Sequence, residues 1–195
     1  MADVTATEIV RGNLGSLKVV TGKFTEVDTA MEIDTGVRHL IWFVVRQVDG
    51  GDVSGQFFFN SKTASDVEND RGWVHIPDDE LAAGGEYAFE AVGGRVLRDP
   101  ETTTNGIIAR NPLCRGLREV YYQVTVSGTD GSFDSGLNDL HAVYPCVKGT
   151  ATITADLNIT AYKNFSDAGS AAAPGTVFFD GATDGNRHVF RCVGK

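Results

Sequence analysis

Four histidines are the side chains in this sequence that most directly suggest catalysis or metal binding. They are His39, His75, His141 and His188. Each lies within strand-like sequence, and no two have the spacing of a metal-binding pair. The serines fall in turns without a Gly-x-Ser-x-Gly nucleophile motif, and the sequence has no glycine-rich phosphate-binding motif. The residue types therefore predict a protein that is not an enzyme and needs no cofactor.

Two acidic turns supply the other set of side chains with ligand chemistry. Residues 49–52 and 180–186 combine aspartate with glycine, and such turns offer oxygen ligands of the kind that calcium prefers. Neither has the ligand spacing or the terminal glutamate of an EF-hand, and hairpin turns use the same residues. We therefore expect no metal site, with calcium at these turns as the alternative.

Charge and cysteine content exclude further classes of protein. The formal net charge is −9, and this argues against a nucleic-acid partner because phosphate binding needs a basic face. Cys114, Cys146 and Cys192 are widely spaced and odd in number, which favours structural thiols over a disulfide framework. No apolar run reaches the roughly 18 residues of a membrane span. The first residues lack the basic start and apolar core of a signal peptide, so we expect the product to be made and kept in the cytosol, or to leave by lysis or assembly.

Positive charge is concentrated in one stretch of this acidic chain. The composition changes between Gly93 and Gly116, and several arginines lie between Arg95 and Arg118, which suggests docking on an acidic partner surface. The alternative is a solvated connector whose arginines pair with the chain's own carboxylates. We also expect contacts between subunits from the N-terminal segment. The candidate interface residues are Arg98, Arg110, Arg115, Arg118, Ile9 and Val10.

The elements that must position these residues have the pattern of β-strands. The chain holds 23 glycines against 5 prolines among 195 residues, which indicates many tight turns. Residues 41–45 form an apolar run typical of a buried strand, with Trp42 in the core, and residues 150–162 alternate over the longest span. No segment of helical length shows a 3.6-residue period, so the predicted fold class is all-β. We expect hairpins between strands near 40–48 and 53–60, and between strands near 177–179 and 188–193.

The second half of the sequence repeats the first. Residues 35–40 match 135–140, residues 87–93 match 188–194, and residues 55–60 loosely match 175–180. A repeat reveals the unit that packs. We therefore predict two related β-sandwich or jelly-roll-like units, residues 14–96 and 119–195. An N-terminal arm (residues 1–13) and an irregular connector arm (residues 97–118) complete the predicted organisation.

Residues 8–25 and 34–37, with the ending Phe190 to Gly194, resemble small structural proteins of tailed-bacteriophage virions. The resemblance implies a capsid decoration, or cement, protein that stabilises the particle through contacts between subunits. The implied partners are the major capsid protein or other virion subunits, with homo-oligomers and without nucleic acid or membrane. Arg38-His39 and the long central connector depart from the pattern, which leaves the place in the virion open. The alternative is a glycan- or receptor-binding β-sandwich module of a tail or fibre.

Overall fold

The chain forms an all-β structure, as the sequence predicts. The computed structural model describes residues 2–27, 31–48, 58–61, 72–76, 81, 84–100, 103–149, 160–163, 173–182, 185 and 187–195. The described strands are β1 (Ala2–Val4), β2 (Thr7–Leu14), β3 (Leu17–Thr25), β4 (Met31–Asp34), β5 (Trp42–Gln47), β6 (Phe58–Ser61), β7 (Trp73–Ile76), β8 (Glu86–Gly94), β9 (Asn105–Pro112), β10 (Arg118–Thr125), β11 (Gly131–Asp134), β12 (Leu140–Gly149), β13 (Thr160–Lys163), β14 (Thr176–Asp180) and β15 (Arg187–Gly194). A 3₁₀ turn, Cys114–Gly116, lies between β9 and β10. Within these ranges there is no α-helix.

The chain divides into two compact units. The first comprises Met1–Arg95 with Lys148–Ala155, and the second comprises Val96–Val147 with Asp156–Lys195. The division falls at Arg95, close to the predicted end of the first unit, and the segment predicted as a connector belongs to the second unit.

The strands of the first unit form two sets of hydrogen-bonded neighbours. One has the order β2-β3-β8-β5 with antiparallel neighbours, and the other has the order β1-β4-β7-β6, in which only the β1–β4 pair is parallel. Alternation along β3 and β8 places Val20, Phe24, Phe89 and Ala91 on one face, where all four are buried. Trp42 is buried as predicted, with 1% of its surface exposed.

The second unit repeats this arrangement. Its strands form the orders β9-β10-β15-β12 and β13-β14-β11. Its core contains three rings from both sheets: Phe133, Phe179 and Phe190, with centroids 5.0 to 6.4 Å apart. Offset and tilted rings at this distance pack favourably in addition to the apolar area they bury.

The sheet orders confirm the predicted duplication. In chain order, β2 to β8 correspond to β9 to β15, and equivalent strands have equivalent neighbours, so β5 and β12 are equivalent as predicted. One of the three sequence matches is wrong. The match of residues 175–180 to 55–60 pairs β14 with β6. The sheet orders instead make β14 equivalent to β7, and β13 equivalent to β6. Short aromatic runs are similar in many buried strands, so they do not identify a strand's position.

Both predicted hairpins are also wrong. β5 and β6 lie in different sheets, and so do β14 and β15. A short turn between two alternating segments fits a hairpin, but in a sandwich the same turn can carry the chain from one sheet to the other. Non-local pairing decides between the two, and β5 pairs with β8.

Two segments predicted to be irregular form strands. In the N-terminal segment, β1 pairs with β4, and β2 pairs with β3 in the register Arg11–Val20. In the connector, β9 pairs with β10 in the register Arg110–Val120. β2 is almost wholly exposed, as an edge strand can be, so its residues lack an apolar face. β9 buries Ile108 and Ala109, but polar residues flank this short apolar run on both sides. The long alternating stretch 150–162 lies outside the described residues except for 160–162.

Candidate functional site

The most closely duplicated local structure is a turn, Asp34-Thr35-Gly36 in the first unit and Asp134-Ser135-Gly136 in the second. The Gly36 N–H donates to Asp34 Oδ1 at 2.8 Å, and the Gly136 N–H donates to Asp134 Oδ1 at 2.8 Å. Both glycines have positive φ, +65° and +71°, which the turn requires. The aspartates therefore shape the backbone of the turn.

The hydroxyl of the same turn anchors a neighbouring glycine. Thr35 Oγ1 donates to the Gly72 carbonyl at 2.6 Å, and Ser135 Oγ donates to the Gly175 carbonyl at 2.7 Å. Both hydroxyls are buried. A Cβ on Gly72 would overlap the Val37 carbonyl oxygen, and one on Gly175 would overlap that of Leu137. The turns are thus held rigidly in both units by the same contacts.

A pocket with two basic side chains lies beside each turn. In the first unit its volume is about 290 Å³, and it is lined by Arg11, Gly12, Asn13, Lys18, Val20 and Gly36. In the second unit its volume is about 250 Å³, and it is lined by Arg110, Asn111, Pro112, Arg118, Val120, Gly136 and Leu137. The strand registers make Arg11 equivalent to Arg110, and Lys18 equivalent to Arg118. The two units therefore carry equivalent basic pockets.

A groove of about 370 Å³ crosses the outer face of the sheet β2-β3-β8-β5. At one end of this face Leu17, Trp42 and Val92 are buried. At the other end the groove lies over small or apolar side chains between charged ones. Its lining residues are Glu8, Val10, Thr21, Gly22, Lys23, Val44, Arg46, Ala88, Phe89 and Glu90. Such a surface can bind an extended chain segment through both apolar and charged contacts.

Lys23 is the central cation of this groove. Its Nζ lies 2.9 Å from Glu8 Oε2 and 3.6 Å from Glu86 Oε1. The hydrogen bond from the ammonium group to Glu8, together with the charge of that carboxylate, raises the pKa of Lys23 above its ordinary value of 10.5. Glu8 sits in the β2 bulge with φ +50°, and the bulge brings its side chain to Lys23.

In the second unit the described connector residues 96–100 and 103–104 cover the equivalent sheet face. The Leu97 N–H donates to the Ile108 carbonyl at 2.7 Å, and the Gln123 side-chain amide donates to the carbonyls of Pro100 and Thr103. Gln123 and Tyr121 are fully buried on this face. The strand registers place Gln123 at the position that Lys23 occupies in the first unit.

A polar network lies beside the connector in the second unit. Glu119 is fully buried, and it accepts hydrogen bonds from the side chains of Asn111 and Arg191. The registers make Val19 the first-unit equivalent of Glu119 and Glu90 that of Arg191. The outer face of the second unit is therefore an internal contact of that unit.

The structure brings together only some of the six predicted interface residues. Arg110 and Arg118 line one pocket, whereas Arg98 lies against Gly106 at the other end of β9. Arg115 is exposed in the 3₁₀ turn, with φ 58°. Ile9 and Val10 lie on β2 in the first unit, with 37% and 65% of their surface exposed. The six residues thus belong to more than one surface.

The remaining histidines and cysteines that the structure describes lie in surroundings typical of structural residues. His141 Nε2 lies 3.0 Å from Asp139 Oδ2 at the surface, and His188 is buried. All three cysteines are free, and burial raises the pKa of Cys192 to about 12. Across the described ranges no three His, Cys, Asp or Glu side chains cluster as a metal site would require. The acidic turn 49–52 and the side chain of His75 lie outside the described residues.

Sequence reasoning missed three functional candidates: Arg11, Lys18 and Lys23. Each is a single cation with no other cation beside it in the sequence, so none stands out by local composition. The signal was the repeat itself, because Arg11 and Lys18 lie 99 and 100 residues before Arg110 and Arg118. Carrying the repeat into the segments assumed to be irregular would have aligned the two cation pairs.

No protein-family model matches the chain, and no curated protein sequence matches it either. Among the described residues, no helix has the length and hydropathy needed to cross a membrane.

Proposed function

We propose that this chain is a structural protein of a bacteriophage particle, a capsid decoration subunit that binds its neighbours through the outer face and free edge of its first unit. The observation that carries the proposal is the contrast between two equivalent sheets. The outer face in the second unit is covered by residues 96–100 and 103–104, whereas the first unit keeps a groove on the same face. A protein that closes one such face and leaves its duplicate open has a binding surface available.

The edge of this sheet supports the same proposal. β2 is the outermost strand, and seven of its eight residues are exposed. An unpaired strand edge is a template for another chain, which can add a strand through main-chain hydrogen bonds. The segment 8–25 that resembles virion proteins is the one that forms most of β2 and all of β3. Many symmetric copies of a weak contact would give strong attachment to a capsid lattice.

The first test is whether the chain is a component of particles. Phage particles purified from lysates of cells that encode the chain should contain it in stoichiometric amounts by mass spectrometry. Its absence from purified particles would contradict the proposal. Retention on a glycan array without particle association would instead favour the receptor-binding alternative.

The second test is rebinding of the purified protein to particles that lack it. Val10→Glu introduces a charge next to the groove, and Leu97→Glu is a matched control, because Leu97 is 63% exposed and Val10 is 65% exposed. We expect Val10→Glu to weaken rebinding by about tenfold, since burying a valine contributes roughly 1.5 kcal/mol. The control should bind like the unmodified chain. Equal binding by both variants would exclude the β2 surface as the contact.

A further inference from the structure

The two basic pockets are the strongest feature that the proposed attachment surface leaves unexplained. In each unit one cation lies on the edge strand and the other on its neighbour, at diagonal positions of the same hairpin. In the first unit Arg11 pairs with Val20 and Lys18 with Asn13, and in the second unit Arg110 pairs with Val120 and Arg118 with Pro112. Diagonal positions lie about 7–8 Å apart, so two long cationic side chains can converge on one small ligand.

The turn glycine completes each pocket. A Cβ on Gly36 would lie 3.6 Å from Arg11 Nη2, and a Cβ on Gly136 would lie 3.4 Å from Arg110 Nη2. The guanidinium therefore lies against the turn in both units. Val20, Val120 and Leu137 are buried and supply apolar walls. Cation positions and turn contacts are thus the same in both units, although the neighbouring residues Gly12 and Asn111 differ.

The cations of each pocket have no ion-pair partner among the described residues. Throughout the described part of the chain, no carboxylate lies within 4 Å of the charged ends of Arg11, Lys18, Arg110 or Arg118. The aspartate of each turn accepts the N–H of the turn glycine that lines the pocket. Glu119, which lies between Arg118 and Val120 in the sequence, accepts hydrogen bonds from Asn111 and Arg191 instead. Two cations and one aspartate give each pocket a net charge of about +1, which suits a monoanion better than a phosphate dianion.

We propose that each pocket binds one carboxylate side chain from an acidic segment of a neighbouring protein subunit. The inference rests on the proposed function, and it names the chemistry by which the partner is recognised. The planar guanidinium fork donates two parallel hydrogen bonds to a carboxylate, and the second cation supplies a further charge-assisted contact.

The test is direct binding of a peptide to the full chain, without phage particles. A glutamate-rich peptide is titrated into ¹⁵N-labelled protein while the arginine Nε–Hε resonances are observed by NMR. We expect the resonances of Arg11, Arg110 and Arg118 to shift and that of Arg95 to stay in place. Replacing both cations of one pocket, as in Arg110→Gln with Arg118→Gln, should leave the shift of Arg11 in place and weaken peptide binding at the second-unit pocket, measured at the Gly136 backbone amide, by about tenfold. Arg95→Gln is the matched control and should bind like the unmodified chain.

Two comparisons decide the result. A glutamine peptide of the same length should not shift these resonances, and inorganic phosphate should shift them less than the glutamate peptide does. Equal shifts with the glutamine peptide, stronger binding of phosphate, or unchanged affinity after replacement of all four cations would each overturn the proposal. Thermal unfolding of every variant confirms that the exposed substitutions leave the fold intact. If the peptide binds the pockets but the chain is absent from particles, the pocket inference stands and the proposed function fails.

Discussion

The two units have different residues at one equivalent position of the outer sheet face, Lys23 in the first and Gln123 in the second. In the first unit Lys23 lies in an open groove and forms ion pairs with Glu8 and Glu86. In the second unit the equivalent Gln123 is buried and donates to the carbonyls of Pro100 and Thr103. The equivalent strands β2 and β9 differ in the same sense, because β2 is exposed along its length whereas Ile108 and Ala109 of β9 are buried.

This difference indicates that the duplicated units diverged on their surfaces more than in their turns and cores. The turns keep the same hydrogen bonds at nearly the same distances. The residues of the outer face differ. The first unit has Val19, Lys23 and Glu90 at the positions of Glu119, Gln123 and Arg191, respectively. Those three second-unit residues are engaged inside their own unit, whereas the first-unit face carries the groove.

The largest expected effect on stability tests the turn contact that the two units share. Gly72→Ala and Gly175→Ala each place a methyl group against a carbonyl oxygen at φ +82°. We expect each to reduce the free energy of unfolding of its own unit by roughly 2–5 kcal/mol, since steric overlap and a strained φ act together. Both tryptophans, Trp42 and Trp73, lie in the first unit, so their fluorescence reports its unfolding, and amide exchange in β10 and β15 reports the second.

Gly185→Ala separates strain from steric overlap in this experiment. Gly185 has φ +78°, but an added Cβ would meet nothing within 4 Å. Its cost should be about 1–2 kcal/mol, from the left-handed conformation alone. If either turn variant costs no more than this control, the two turns are not held by the same contact.

The next largest effect on stability concerns the buried polar network of Asn111, Glu119 and Arg191 in the second unit. Glu119→Gln leaves the Arg191 guanidinium without its carboxylate partner, and Glu119 is fully buried. We expect the second unit to lose roughly 2–3 kcal/mol of unfolding free energy, because hydrogen bonds to charged groups contribute more than neutral ones. Val19→Gln, at the equivalent position, should cost less than about 1 kcal/mol because Val19 is only partly buried. Equal losses in the two units would show that the network does not distinguish them.

A smaller effect tests the attachment of the connector. Gln123→Ala removes the donor to the Pro100 and Thr103 carbonyls, and it should destabilise the second unit by about 1–2 kcal/mol. The Leu97 amide, which donates to Ile108, should then exchange faster with solvent. Lys23→Ala is the matched variant and should leave the exchange of Leu97 unchanged. A protected Leu97 amide in Gln123→Ala would mean that other contacts hold the connector.

The sequence allowed the all-β class, the buried Trp42 and the repeated turn to be predicted, because each depends on local pattern or on close residue identity. The hairpins and the third repeat match failed, because alternation shows that a segment is a strand without showing which strand it pairs with. Arg110 and Arg118 were found through their local concentration of charge. Arg11 and Lys18 were missed, since they come close to the turn only through the register of β2 with β3.

The smallest effect concerns the open groove, where Lys23 has a raised pKa because of Glu8 and, secondarily, Glu86. A raised pKa in the folded state means that the ion pairs stabilise the fold fully below the ordinary pKa of lysine, and that this contribution is lost as the pH rises through the folded-state value. The pairs are close to solvent, so we expect a weak effect on stability that salt reduces further. The direct measurement is a ¹⁵N titration of the Lys23 ammonium group, whose midpoint should lie above 10.5.

Glu8→Gln is the variant that connects this measurement to the comparison of the two units. It should lower the Lys23 midpoint, because Glu8 is the larger cause of the shift, and Glu86→Gln should lower it less. Because Glu8 is held by the β2 bulge, a partner that pairs with the edge of β2 should displace the Glu8–Lys23 contact and lower the midpoint as well. A Lys23 midpoint that stays the same when the chain binds its partner would place the contact away from this groove. The open face of the first unit would then need another explanation.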